Sequence, residues 1–210
     1  MMKKAFAAAV LAAMTMSAQA GVLINEGFNN VAGLAASGWT GVDSGTTGPN
    51  GWFQGSADAA GFNAQSGDAN AFAAINYNVF GSSGNGRLVT PTFDASGGVD
   101  ISFYLRAAGG GYTDLLSYGF TGAGATMTTV NPVPDSGWTL YNVHLDANIM
   151  GTTSFAFQYG GTFDTANYVG LDSLSISTPT AAGNVPEPAS LALLAGGLLG
   201  LGAMRRRTRR

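Results

Sequence analysis

The sequence predicts an all-β protein: a jelly-roll-like β-sandwich, flanked by an N-terminal signal peptide and a single C-terminal transmembrane helix. Several stretches alternate apolar and polar residues with a period of two, which is typical of half-buried strands. Turn sequences rich in Gly and Pro separate these stretches. The region between the two ends shows no sustained helical periodicity, so we expect no helix there longer than about ten residues.

The clearest predicted strand is 99–106, which places Phe103 on one face and Tyr104 on the other. The other predicted strands are 22–28, 71–79, 115–120, 125–130, 138–145, 153–159 and 168–176. Residues 32–70 are rich in Gly, Ala, Asn and Ser, and we expect loops there with short strands near Trp39 and Trp52. Many short strands separated by turns indicate a sandwich or jelly roll over residues 21–178.

Residues 1–20 have the pattern of a secretory signal peptide. Lys3 and Lys4 supply the positive start, an apolar stretch follows, and Ala18-Gln19-Ala20 is a small-x-small cleavage site. The mature chain is therefore expected to begin at Gly21, after export by the Sec machinery and cleavage by signal peptidase. The alternative is an uncleaved anchor, but the apolar stretch is too short to span a bilayer.

The C-terminal region contains a second apolar segment. Residues 189–204 carry no charge and, as a helix, would measure about 24 Å at about 1.5 Å per residue. That length is below a hydrocarbon core of about 30 Å, but local thinning allows such a helix to span. The arginines that follow predict a cytoplasmic tail, with the rest of the chain outside. They are Arg205, Arg206, Arg207, Arg209 and Arg210.

The triplet Pro186-Glu187-Pro188 stands just before this apolar segment, after a linker at 179–185. The chain resembles the PEP-CTERM sorting signal of Gram-negative bacteria over about residues 184–210. The resemblance is carried by the triplet, the apolar span and the arginine cluster, which follow one another in this order. The resemblance implies that an exosortase recognises the triplet and releases the protein from the inner membrane to the periplasm, the cell surface or the extracellular matrix. The alternative is an ordinary single-pass anchor with a proline-stiffened stalk.

Charge and cysteine content exclude several classes of function. The chain has no Cys, which excludes a disulfide scaffold and a Cys-ligated metal site. Residues 21–188 contain two arginines and all twelve acidic residues, a net charge of −10 with His neutral. We therefore expect no nucleic-acid partner and no polyanion, unless divalent cations bridge the two.

The middle region also resembles the choice-of-anchor J domains. The patterns that carry this resemblance are Asn25-Glu26-Gly27-Phe28, Gly38-Trp39, Gly51-Trp52-Phe53, Arg87-Leu88-Val89-Thr90-Pro91 with the strand at 99–106, Gly137-Trp138-Thr139 and the segment 168–174. The resemblance implies a jelly-roll-like extracellular module carried by varied surface anchors. It supplies no catalytic residues.

Candidate catalytic residues are few. His144 is the single His, it lies in a predicted strand among polar outward positions, and no Gly-x-Ser-x-Gly nucleophile motif occurs, so we interpret it as a surface residue. Glycoside hydrolysis needs two carboxylates at a defined separation. Most of the Asp residues lie in turns, where Asp usually bonds its own backbone. We therefore predict a protein that is not an enzyme, with a secreted carbohydrate-active hydrolase as the alternative.

The acidic residues suit a structural calcium ion better, because Ca²⁺ takes six to eight oxygen ligands. Glu26 ends the first predicted strand and Asp172 lies in the last, and these two strands are often neighbours in a sandwich. Jelly-roll sugar-binding modules commonly hold calcium at such a place, so the resemblance points the same way. The alternative is that both carboxylates cap turns or bond the backbone.

Aromatic side chains are the candidates for ligand binding, because the apolar faces of sugars stack on aromatic rings. Trp52 and Phe53 lie in the loop-rich region and are expected to be exposed, and Tyr104 is expected to point outward, whereas Trp39 and Trp138 are expected in the core. The sequence thus predicts an exported, non-enzymatic surface or matrix protein that binds exopolysaccharide or another surface ligand. A purely structural matrix protein without a ligand is a further alternative.

Overall fold

Alternation along the strands decides which side chains enter the protein interior. Along the strand Val99–Ala107, every second residue from Val99 to Ala107 is buried, and the residues between them are partly or fully exposed. This arrangement is seen in the computed structural model of the protein, which describes residues 20–45, 47–81, 86–132 and 137–179. Residues 1–19 of the predicted signal peptide, and the linker and predicted transmembrane helix beyond residue 179, lie outside the described residues.

Twelve strands and three short helices make up the described part of the chain. The strands are β1 (Val22–Glu26), β2 (Phe53–Gln54), β3 (Ala73–Asn76), β4 (Arg87–Val89), β5 (Phe93–Asp94), β6 (Val99–Ala107), β7 (Leu115–Phe120), β8 (Met127–Val130), β9 (Thr139–Leu145), β10 (Thr152–Thr153), β11 (Phe155–Gly160) and β12 (Tyr168–Ser177). The helices are a 3₁₀ helix at Val31–Ser37, α1 at Ala57–Ala60 and a second 3₁₀ helix at Tyr77–Gly81.

No described helix exceeds seven residues, as the sequence predicted. Within the same ranges, none has the length and apolarity needed to cross a bilayer.

The strands form two larger antiparallel sheets and one small one. The first sheet, called here the long sheet, has the order β2-β3-β12-β6-β9, with β1 also paired to β12. The second sheet has the order β4-β11-β7-β8, and β5 pairs with β10. The predicted all-β, jelly-roll-like sandwich is confirmed.

Phe103 lies at the centre of the core between the two sheets. Its ring stacks on Tyr141. It meets the rings of Tyr118 and Phe157 edge-on, and the centroids of these two rings each lie 4.9 Å from the centroid of Phe103. Such aromatic pairs add to the free energy gained by burying the rings. This core and a second apolar cluster both lie within Gly21–Pro179, which forms one compact unit. The unit therefore has its own hydrophobic core, which is characteristic of a domain.

The second apolar cluster lies on the other side of the long sheet. The segment between β2 and β3 crosses this face and brings Phe62 and Phe72 onto Tyr168 and Trp138. The guanidinium of Arg106 lies 4.5 Å from the centre of the Phe62 ring, a cation–π contact. Trp39 is buried in the main core as expected, and Trp138 is partly buried against the second cluster.

The expectation that Trp52 and Phe53 are exposed was wrong: their side chains are 0% and 1% exposed. Consecutive strand residues point to opposite faces of a sheet. Trp52 enters the main core, where its Nε1 donates to the backbone oxygen of Gly86 at 3.0 Å, and Phe53 enters the second cluster. Neither ring is available to stack on a ligand in this structure.

Two predicted strands end differently from the expectation. The predicted strand 71–79 stops at Asn76, because Asn76 Oδ1 accepts a hydrogen bond from the backbone N–H of Asn78 and turns the chain into a 3₁₀ helix. The predicted strand 153–159 is interrupted at Ser154, so that Thr153 pairs with β5 and Phe155 begins β11.

Candidate functional site

Three loops meet where β3 and β6 end and β12 begins. The register pairs Asn76 with Tyr168 and Ala107 with Val169, so the residues beyond these pairs lie at one end of the long sheet. Here the loops enclose a groove of about 480 Å³, called here the aromatic groove. The described residues that line it are Tyr77, Tyr112, Phe163, Asp164, Ala166 and Asn167.

The aromatic groove exposes three rings to solvent. Tyr77, Tyr112 and Phe163 are 37%, 45% and 51% exposed, which is unusual for large aromatic side chains. Tyr77 and Phe163 meet at 88° with their centroids 5.1 Å apart. Because one ring stands perpendicular to the other, the pair presents a ring face and a ring edge at the same place.

Asn167 connects the three loops. Its backbone N–H donates to Asp114 Oδ1 at 2.8 Å, and its Nδ2 donates to the backbone oxygen of Gly109 at 2.8 Å. Its own carbonyl accepts a hydrogen bond from the N–H of Tyr77 at 3.0 Å. Among the described residues, Asn167 Oδ1 has no hydrogen-bond partner, and Asn167 lines the groove.

Asp114 is the buried support behind Asn167. Its Oδ1 also accepts a short hydrogen bond from the hydroxyl of Tyr159, whereas its Oδ2 is buried and has no partner among the described residues. Burial raises the pKa of Asp114, against the effect of these hydrogen bonds. Burial, followed by the nearby Asp114 charge, raises the pKa of Tyr159 well above its usual range. Asp114 was not predicted as a site residue, although it is a lone acid just before an apolar strand, which was a usable signal.

The loop that carries Phe163 is braced by threonines. Thr165 Oγ1 accepts a hydrogen bond from the N–H of Thr162 at 3.1 Å, and the two hydroxyls lie 2.9 Å apart. The N–H of Thr113 donates to the carbonyl of Thr165 at 3.0 Å, which ties this loop to the one carrying Tyr112. The groove is therefore held in shape before any ligand arrives.

The outward face of the long sheet is a second, flatter region. Register places Asp100 beside His144 and Ser102 beside Asn142, with Ser175 and Ser177 on the neighbouring strand. These residues line a shallow polar depression of about 330 Å³. Tyr104 lies further along the same face, partly buried between Asp172 and Leu140, so the predicted outward orientation is confirmed.

His144 is exposed, as predicted, and lies between two carboxylates. Its Nδ1 is 2.6 Å from Asp100 Oδ1 and its Nε2 is 3.2 Å from Asp146 Oδ1. The hydrogen bond to Asp100, and then that to Asp146, raise the pKa of His144. Because each ring nitrogen already has a carboxylate partner, neither is available to take a proton from a serine hydroxyl.

Glu26 and Asp172 lie on paired strands, since Glu26 is opposite Leu174 in the register of β1 and β12. Asp172 is buried, and its Oδ2 accepts hydrogen bonds from the N–H groups of Gln65 and Ser66 at 2.8 and 3.1 Å. Burial raises the pKa of its carboxyl group. Glu26 Oε1 accepts from the N–H of Phe28 at 2.7 Å.

Both carboxylates thus bond the backbone, which was the alternative to calcium binding. The described residues contain no cluster of three acidic or His side chains. The cleft beside Glu26 nevertheless offers several uncharged oxygens, because Asn25, Asn29, Ser66 and Ser173 line it. Ca²⁺ takes amide, carbonyl and carboxylate oxygens as ligands. The calcium site at Glu26 and Asp172 stays a prediction.

Comparisons with known proteins found one matching family model and several solved structures of similar fold. The family model described as the PEP-CTERM protein-sorting motif matches residues 184–207. A search of curated proteins found no match.

Among solved structures, the K3 cleaved adhesin domain of Lys-gingipain from Porphyromonas gingivalis is 21% identical, with a TM-score of 0.50 over 75% of this chain and 99% of that one. The K1 cleaved adhesin domain of the same protein is 22% identical, with a TM-score of 0.45 over 73% of this chain and 96% of that one. The CBM22-1 xylan-binding domain of a Paenibacillus barcinonensis protein is 14% identical, with a TM-score of 0.41 over 78% of this chain and 97% of that one.

The comparison with the K3 adhesin domain supports the β-sandwich fold and nothing finer. The resemblance to choice-of-anchor J domains stays an interpretation of the sequence. The motif match covers Pro186, Glu187, Pro188 and the first three arginines of the tail, at the place the sequence predicted. The chain thus carries a PEP-CTERM sorting motif at residues 184–207, so it is an exported protein that is anchored at the membrane before processing.

Proposed function

We propose that this chain is a non-enzymatic binding protein of the cell surface or extracellular matrix. In this proposal the Sec machinery exports it, signal peptidase cleaves after Ala20, and the segment 189–204 holds it in the inner membrane with the arginine tail in the cytoplasm. An exosortase then cleaves near the triplet at 186–188 and releases or re-anchors the folded unit. The order of these segments along the chain supports this route.

The sorting step is tested with Glu187→Ala. We expect this variant to stay at full precursor size in the inner membrane, because the triplet would no longer be recognised. Thr180→Ala, outside the triplet, is the matched control and should be processed like the wild type. Normal processing of Glu187→Ala would show that this motif does not direct sorting.

The binding step is assigned to the aromatic groove, with exopolysaccharide as the ligand. The observation that carries this assignment is the set of three exposed rings beside Asp164 and the free Oδ1 of Asn167. Sugars present apolar C–H faces and hydroxyl groups, and sites that bind them combine aromatic side chains with a few polar groups. An adhesin domain has the same sandwich fold, which is compatible with a role in surface binding.

The assignment is tested by applying the purified unit 21–179 to a glycan array. Tyr112→Ala and Phe163→Ala should each lose binding, because each removes one exposed ring from the groove. Leu140→Ala removes an exposed apolar side chain from the flat face instead, and it should bind like the wild type. If Leu140→Ala lost binding and the two groove variants kept it, the ligand would bind on the face that carries Tyr104. If no glycan on the array bound, the purely structural alternative would be favoured.

The hydrolase alternative has less support from the geometry. Asp100 and Asp146 share His144 as a partner, and the imidazole occupies the space that a glycosidic bond and a water molecule need between two catalytic carboxylates. Release of reducing ends from polysaccharides by the purified unit, lost in Asp100→Asn, would establish the hydrolase and overturn the proposal.

A further inference from the structure

We propose that the sugar bound in the aromatic groove is an amino sugar whose amine is free and positively charged. This inference rests on the proposed function, because it names the class of sugar that the same groove would take. It is carried by the combination of exposed rings, acceptor groups and negative charge around the groove.

The rings offer a binding site for a cation. An ammonium group is attracted to the face of an aromatic ring when it lies within about 6 Å of the centroid. Tyr77 and Phe163 stand at right angles with their centroids 5.1 Å apart, and Tyr112 lines the same groove. The exposed ring face of this pair and the Tyr112 ring are the surfaces that a ligand ammonium entering the groove would contact.

The groove has a carboxylate and an amide oxygen among its polar groups, beside the hydroxyls of Tyr77 and Tyr112, which both donate and accept. Asp164 is the charged side chain among the described lining residues, and Asn167 has its Nδ2 bonded to Gly109 while its Oδ1 has no partner among the described residues. A protonated amine has three N–H donors and no acceptor, so it matches a carboxylate and an amide oxygen. An N-acetyl group in the same place would bring one N–H donor, one acceptor and no charge.

The charge of the whole unit favours the same ligand. Residues 21–179 contain eleven acidic residues and two arginines, a net charge of −9 with His144 neutral. A field of this sign raises the local concentration of cationic ligands and opposes sugars that carry carboxylates.

The test compares two oligosaccharides of the same length, one of N-acetylglucosamine and one of glucosamine with free amines. Their binding to the unit 21–179 is measured by calorimetry at pH 6 in low and in physiological salt. We expect the free-amine oligosaccharide to bind about tenfold more tightly at low salt, which corresponds to about 1.4 kcal/mol. The preference should shrink as salt rises, because exposed charges are screened.

Two substitutions locate the preference in the groove. Asp164→Asn should weaken binding of the free-amine oligosaccharide more than binding of the N-acetylated one and so remove most of the preference, whereas Asp58→Asn, an exposed acid in α1, should keep the preference. Phe163→Leu keeps an apolar side chain but removes the ring. It should therefore weaken binding of the free-amine oligosaccharide more than binding of the N-acetylated one.

Each outcome has a separate meaning. Equal binding of both oligosaccharides would overturn this inference and leave the proposed function standing. Binding of neither, together with an empty glycan array, would overturn the proposed function and this inference with it. If a lysine oligopeptide of equal charge bound as tightly as the glucosamine oligosaccharide, the groove would select cations in general, and the assignment to an amino sugar would be wrong.

Discussion

The protein has two sets of aromatic side chains that differ in what surrounds them. In the core, Phe103 is fully buried and packs against rings from both sheets. In the aromatic groove, Tyr112 and Phe163 leave about half of their surface in solvent, although the surrounding loops are tied together by hydrogen bonds. Because the groove rings are half exposed, the folded state does not depend on them as it does on the core rings. The groove rings are therefore better candidates for ligand binding than the core rings.

The most direct test of this comparison is a pair of truncations. Phe103→Ala should lower the free energy of unfolding by about 3–5 kcal/mol, because it removes a buried ring and leaves a cavity. Phe163→Ala should cost less than about 1.5 kcal/mol, since half of its surface already lies in solvent and its described ring contact is with Tyr77. Guanidinium unfolding followed by tryptophan fluorescence measures both. Similar losses for the two variants would show that the groove rings are part of the structural core.

The predicted calcium site would add stability at the cleft beside Glu26. Ca²⁺ at 100-fold above its Kd would stabilise the unit by about 2.7 kcal/mol, and we expect the Tm to rise by several degrees and EDTA to reverse the rise. Mg²⁺ should do less, because it needs tighter octahedral geometry.

Asp172→Asn should remove the calcium-dependent increment in Tm. Asp94→Asn, an exposed acid in β5, should retain it. If wild type and Asp172→Asn show no response to calcium at any concentration, Asp172 serves only as the acceptor for the N–H groups of Gln65 and Ser66.

Asp114 links the core to the groove, and its substitutions separate hydrogen bonding from charge. Asp114→Ala should lower stability by about 1–3 kcal/mol, because Tyr159 and Asn167 both lose their acceptor. Asp114→Asn keeps an acceptor oxygen and should cost less at neutral pH.

The raised pKa of Asp114 also predicts a pH dependence. Its contribution to stability is fully present below the unfolded pKa of about 3.9 and is lost as the pH rises through the folded pKa. Asp114→Asn should remove this loss, so unfolding measured from pH 4 to pH 8 should show a flatter profile than the wild type. An unchanged slope would mean that Asp114 titrates normally.

The smallest expected effect belongs to the flat face of the long sheet. Because His144 is the single His, its NMR titration is unambiguous, and its pKa should lie above about 6.5. Asp100→Asn should lower this pKa more than Asp146→Asn, since the hydrogen bond to Asp100 is the main cause of the shift.

The stability contributed by His144 changes with pH in the same direction as that contributed by Asp114, because the pKa of each group is raised in the folded state. The stability that the His144 interactions provide is present below the unfolded pKa and is lost as the pH rises through the folded pKa. A His144 pKa below the usual value would contradict the two-carboxylate geometry.

Much of the fold was predictable because its signal is local. The alternation over residues 99–106 predicted β6 and the face on which Tyr104 lies, and it did so because the side-chain period of a strand does not depend on its partners. The sorting motif was also readable, because it is a linear sequence that another protein recognises.

Burial of Trp52 and Phe53 was not predictable in this way. Phe53 begins β2, which has two residues, too few to show a period, and is a strand because it pairs with β3. Trp52 precedes β2 and makes an isolated bridge with Val42. The aromatic groove depends even more on tertiary structure, since Tyr77, Tyr112 and Phe163 come from three connecting segments far apart in the sequence, the first of them a 3₁₀ helix. The register of β3, β12 and β6 brings these segments to one end of the sheet, because hydrogen-bonded pairing sets which strand ends are neighbours.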